Sequence, residues 1–86
     1  MDAETLSQAM VLADAPASLG EAAAALRSAF GPLRIVVVDA LDMRDETPAA
    51  RGCRRQLYLG ASDGHCWTVT TDAARVAGLF VADLAV

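Results

Sequence analysis

Lysine and asparagine are absent from this 86-residue chain, and all seven basic residues are arginine. That skew reflects GC-rich coding more than physics and carries little functional weight. Aromatic residues are scarce, with one Trp, one Tyr and two Phe. Nineteen of the apolar residues are alanine, which leaves 28 larger apolar side chains for a core. A chain of this length buries roughly 60–65% of the surface its unfolded form exposes, so it is marginal unless well packed or oligomeric. A multi-domain enzyme is excluded, and a single domain over residues 1–86 is expected. Two cysteines, Cys53 and Cys66, do not make a disulfide framework. The longest strongly apolar run, Ile35 to Val38, is far short of a membrane span. The start, with Met1, Asp2 and Glu4, lacks the positive region of a signal peptide. A cytoplasmic protein with reduced thiols and no membrane contact is expected. Positive charge is also in short supply: the net charge is −4 and the pI about 4.6. An acidic domain is a poor nucleic-acid binder, so no nucleic-acid partner is expected.

The charge that is present is unevenly placed. Residues 1–50 carry eight acids against three arginines. Arg51, Arg54 and Arg55 then form a short basic stretch. It reads first as a solvated loop balancing Asp42–Glu46, and second as a docking patch for an acidic partner.

Residues 1–31 read as a helical hairpin. Leu6, Ala9, Met10 and Ala13 recur at helical spacing behind a capping Asp2, and Pro16 ends the segment. Ser18 and Glu21 form a capping box for the second helix. Leu19, Ala23, Leu26 and Phe30 line one face of it, and Gly31-Pro32 ends it. Residues 32–86 read as a sheet. The run from Leu33 to Val38 predicts a strand whose Leu33, Ile35, Val37, Leu41 and Met43 face the helices. Arg34, Val36, Val38 and Arg44 take the other side. A loop from about Asp45 to Gly52 follows, then a hairpin over Arg54–Thr71.

Ser62-Asp63-Gly64 is the expected turn, with Gly64 at positive φ in a bulge. Ala61 then pairs with His65, Leu59 with Trp67 and Leu57 with Val69. A two-residue turn that pairs Tyr58 with Val69 ranks second. Asp72 or Thr71 caps a short helical turn near 72–77, and Leu79–Leu84 forms a last strand. One continuous helix over Asp72–Leu84 is the alternative, with Gly78 costing about 1 kcal/mol in its middle. The expected fold is α+β, with the helical hairpin on one face of a mostly antiparallel sheet of three or four strands.

Reactive side chains are few. Cys53, His65 and Cys66, with Asp63 nearby, are the candidate ligands. Their spacing is loose for zinc, and neighbours on a strand point to opposite faces. No metal and no cofactor is therefore expected, although a small metal- or cofactor-binding protein using His65 and Cys66 is the alternative function. The same alternation keeps His65 from activating Cys66, whose thiol reads as buried or half-buried. No nucleotide-loop, nucleophile-elbow or zinc-protease motif is present. Asp39 would join the apolar face unless a bulge turns it outward, which is the preferred reading. Trp67 reads as core. Val36, Val38, Tyr58 and Thr68 form a half-apolar face left uncovered by two short helices. A patch of this kind in so small a protein marks a subunit or partner surface, and a homodimer is expected.

The stretch Leu57-Tyr58 … Asp63-Gly64-His65-Cys66 … Thr68-Val69-Thr70-Thr71-Asp72 … Gly78-Leu79 … Val81-Ala82 resembles a family of small proteobacterial proteins encoded beside nitrogen-fixation genes. Pro32-Leu33-Arg34 leading into a strand, and the later Pro48-Ala49-Ala50-Arg51, are similar too. The resemblance covers residues 32–84. The family has no established activity, so it transfers no catalytic residue. It implies a cytosolic accessory protein of a diazotroph, acting near nitrogenase or its maturation. A non-enzymatic accessory protein is the expected function, and an enzyme is the least favoured.

Overall fold

A computed structural model describes residues 1–84. Positions 85 and 86, which the expected sheet region includes, lie outside the described residues. Two helices come first, α1 (Ala3–Asp14) and α2 (Leu19–Ala29). Both start at the predicted caps, with the serine half of the expected capping box formed at Ser18. The Asp2 carboxylate accepts from the Thr5 amide at 2.8 Å, and the Ser18 hydroxyl accepts from the Glu21 amide at 3.1 Å. Each bond satisfies an amide that the first turn leaves without a helical partner. The helices are followed by β1 (Arg34–Val37), β2 (Ala50–Arg51), β3 (Arg55–Ser62), β4 (Trp67–Thr70), a 3₁₀ turn over Ala73–Arg75, and β5 (Gly78–Asp83). The fold is α+β, and among the described residues its sheet has five strands.

Strand β3 lies at the centre. It pairs antiparallel with β5 on one side, while β2 and β4 share its other side. Strand β1 pairs parallel with β5 and forms the far edge, so the sheet is mixed. The segment over 72–84 is the short turn plus strand, not one helix. Asp72 caps the turn by accepting from the Ala74 amide at 3.0 Å. Gly78 is where β5 begins, and strand pairing on both sides outweighs any helical tendency of the segment.

Alternation divides the side chains between two layers. Leu57, Leu59, Leu79, Val81 and Ile35 face the helices and meet Ala9, Ala13, Ala23 and Leu26. The alanines let the helices lie close to the sheet, so the larger fully buried side chains of that layer come mostly from the strands. The opposite face holds Tyr58, Phe80 and Ala82. That face is covered. Strands β1 and β2 stand at opposite edges and point the same way, so the chain between them must cross the sheet. Such a crossover needs a dozen or so residues, and residues 38–49 supply it. Val38, Ala40 and Met43 pack against the Tyr58 cluster as it passes. The crossover corrects three expectations. The first strand stops at Val37, Met43 lies on the face away from the helices, and Leu41 is exposed.

The hairpin register is also corrected. Ser62 pairs with Trp67, Ala61 with Thr68, Gly60 with Val69 and Leu59 with Thr70. The loop has four residues because the Asp63 carboxylate captures the amides of both His65 and Cys66 at 2.8 Å. Gly64 does take positive φ, at 96°. The preferred register matched apolar side chains across the strands, and the second-ranked one mixed the two faces. The observed one places Gly60 opposite Val69. On its other side Gly60 pairs with Gly78 of β5, and rings fill the space over the two glycines. Phe80 packs over Gly60, and Trp67 reaches over Gly78 to meet Phe80 edge-on with ring centroids 6.1 Å apart.

Candidate functional site

The tip of the β3–β4 hairpin carries the expected ligand candidates. Asp63 is committed to the turn. The Cys66 amide, and then the His65 amide, hold its carboxyl below the usual carboxylate range, with desolvation working against them. His65 and Cys66 are both exposed, which corrects the buried or half-buried thiol. Cys53 is exposed too, in the bend before β3. Among the described residues no three His, Cys, Asp or Glu side chains stand close enough to hold a metal ion. Asp39 is exposed, as expected, but through a different device. Its carboxylate accepts from the Leu41 amide at 2.8 Å and starts the turn that ends β1. Such local bonding is how aspartate redirects a chain.

The basic stretch divides. Arg51 and Arg54 are exposed, whereas Arg55 is 3% exposed and leaves the docking patch. Its guanidinium donates to the Ala13 oxygen at 3.1 Å, to the Pro16 oxygen, and to Asp83 at 3.0 Å. The first two are carbonyls at the C-terminal end of α1, which the helix itself cannot satisfy. Asp14 completes this junction. It stands where the helix dipole disfavours a negative charge. Its carboxylate nevertheless accepts from the amides of Cys53, Arg54 and Arg55 at 3.0, 2.6 and 3.0 Å. Gly52 allows the approach, since a Cβ there would sit 2.6 Å from the carboxylate.

The Arg54 amide first, and then that of Cys53, hold the Asp14 carboxyl below its ordinary 3.8. A lowered folded pKa gives stability that is fully present above the unfolded value and is lost as pH falls through the folded one. Asp14→Asn is therefore expected to flatten the fall in melting temperature below about pH 4. Thermal melts of both proteins between about pH 2 and 7 check this. An unchanged acid limb would assign the fall to Asp2 and Asp63, whose carboxyls are lowered in the same way.

The expected interaction face is corrected most. Tyr58 is 2% exposed beneath the chain's own crossover, and Val36 and Val38 are half-buried against it. Burial pushes the Tyr58 phenol up, the Glu46 carboxylate adds to that, and Arg51 opposes it. Thr68 pairs with Ala61 and so points to the helix side. Val69 and Trp67 take the place expected of it, and Trp67 is 41% exposed where a core role was expected.

Strands β2 and β4 end the sheet on one side, and β1 ends it on the other with the longer apolar edge. Val37 is 44% exposed at the end of β1. A groove along the outer side of this strand is lined by Arg27, Gly31 and residues 33–37. Arg34 and Trp67 both approach Gly78 and so mark one end of the strand. The sequence signal for this site was the run Arg34-Ile35-Val36-Val37-Val38-Asp39. It announces a strand without saying that the strand lies outermost. No family model, curated protein or solved structure matches the chain.

Proposed function

We propose that this chain is a non-enzymatic accessory protein that acts by docking, and that the outer edge of β1 is its docking surface. The observation that carries this reading is the exposed edge itself, with Val37 open to solvent and Arg27 and Arg34 beside it. Exposed strand edges present rows of backbone donors and acceptors to a further strand. The reading includes a cytosolic setting in which Cys53 and Cys66 stay reduced. The resemblance over residues 32–84 supports a place close to nitrogenase or its maturation.

Complementation of a deletion in the native host tests this, with growth scored on dinitrogen and on ammonium. Val37→Pro removes an outward backbone donor and places proline where an edge strand tolerates it. It is expected to fail on dinitrogen only, while a His65→Ala/Cys66→Ser double variant complements fully. The opposite pattern would move the function to the hairpin tip. Normal growth of the deletion strain on dinitrogen would remove the link to nitrogen fixation.

A further inference from the structure

The β1 edge is built to meet its own copy. Along β1 the ladder to β5 and its approach use the amides of Arg34 and Val38, which donate to Ala77 and Val81 at 3.2 and 3.0 Å. Backbone groups alternate between the two sides of a strand. Ile35 and Val37 therefore turn theirs outward. Arg27 reaches from α2 to the Ile35 oxygen at 3.1 Å. A carbonyl oxygen has two lone pairs, so that bond leaves room for another donor.

Charge is ordered along this edge. The chain turns back after α2, with the Leu33 amide donating to Phe30 at 2.8 Å. Helix α2 thus runs antiparallel to β1, and Leu19 lies beside Val38 and Asp39 in one groove. Both elements are basic at the same end, through Arg27 in the last turn of α2 and Arg34 at the start of β1. Both are acidic at the other, through Glu21 in the first turn of α2 and Asp39 just past β1. A pattern of this kind is complementary to itself when reversed.

We propose that a second copy of this chain pairs antiparallel with β1 about a two-fold axis normal to the sheet at Val36. Ile35 of each copy then faces Val37 of the other, and about four backbone hydrogen bonds form. Val36 is the middle of residues 34–38, so this register uses the whole strand. The basic end of each copy meets the acidic end of its partner, and the two sheets become one. Such an interface is isologous and closes on itself. The inference rests on the docking reading above and names its partner.

Sedimentation equilibrium over roughly 1–300 μM tests it. A mass approaching twice 8.9 kDa is expected for the native chain. Val37→Pro is expected to weaken association about tenfold or more, as are Arg34→Glu and Asp39→Arg singly. The Arg34→Glu/Asp39→Arg double variant re-creates the complementary ends and is expected to recover most of the loss. A circular-dichroism melt of each variant separates lost pairing from lost folding, and the two charge changes lie on the surface. A monomer at every concentration, or a double variant no better than the singles, overturns the self-pairing. If Val37→Pro also fails complementation while the native chain is monomeric, the docking reading stands with a different partner, such as an acidic extended peptide. If the chain dimerises as described and Val37→Pro complements, the docking reading falls and the dimer remains.

Discussion

Replacing Arg55 with methionine is expected to lower the unfolding free energy by about 2–4 kcal/mol, read from urea denaturation of both proteins. Methionine keeps most of the apolar stem and removes the guanidinium. The Ala13 oxygen then loses its side-chain donor, and the Pro16 oxygen keeps only the more distant Arg54 guanidinium at 3.5 Å, at a junction where Arg55 is 3% exposed. A buried carbonyl left unpaired costs roughly 1–3 kcal/mol. The partner carboxylate contributes less, because the Asp83 side chain is 58% exposed and water can replace the arginine. Asp83→Asn is accordingly expected to cost under about 1 kcal/mol. Equal losses for the two variants would assign the energy to the ion pair instead of the helix end. A domain of this size has a total stability of roughly 5–10 kcal/mol, so the Arg55 change would remove a large share of it.

Gly78→Ala is the second large effect, at roughly 2–4 kcal/mol. Its cause is contact and not backbone conformation. A Cβ at Gly78 would lie 2.5 Å from the Arg34 carbonyl oxygen and 3.1 Å from both the Arg34 Cβ and the Trp67 ring. The oxygen belongs to the β1 backbone, so it can yield only if β1 moves away from β5. Trp67 must move as well, and its fluorescence is expected to shift toward that of a solvated indole. At Gly60 the nearest atoms belong to the Phe80 ring, at 3.0–3.3 Å, and a ring can tilt. Gly60→Ala is therefore the milder of the two. A Gly78→Ala protein with native melting and native fluorescence would refute the close approach.

Local chemistry made much of this fold readable from the residues. The Asp2 and Ser18 caps, the Asp72 turn and the positive φ at Gly64 each depend on a few neighbouring positions, and each is found where the sequence puts it. What could not be read depends on which strands are neighbours. Val36, Val38 and Tyr58 were correctly placed on one face. The crossover that covers them is visible only once β1 and β2 are known to stand at opposite edges. Arg55 looked like its neighbours Arg51 and Arg54, because nothing local says that the end of α1 lies against it. The hairpin register failed for a related reason. Pairing apolar residues by sequence could not foresee that Phe80, from a third strand, fills the space over Gly60.

The place of β5 between β1 and β3 has a consequence for the order of events on the ribosome. Strand β1 is the first strand to be synthesised, and its partner is the latest of the described strands. Pairs such as Val37 with Val81 close very long loops, and folds dominated by such contacts form slowly. The hairpin of β3 and β4 can form alone, but β1 has no partner within its own chain until residue 81 has emerged. Until then both of its edges are open, and Ile35–Val38 is the most apolar stretch of the nascent chain. Slow translation beyond residue 51, or a stop before β5, would leave that segment as a target for chaperones and for other unfinished copies.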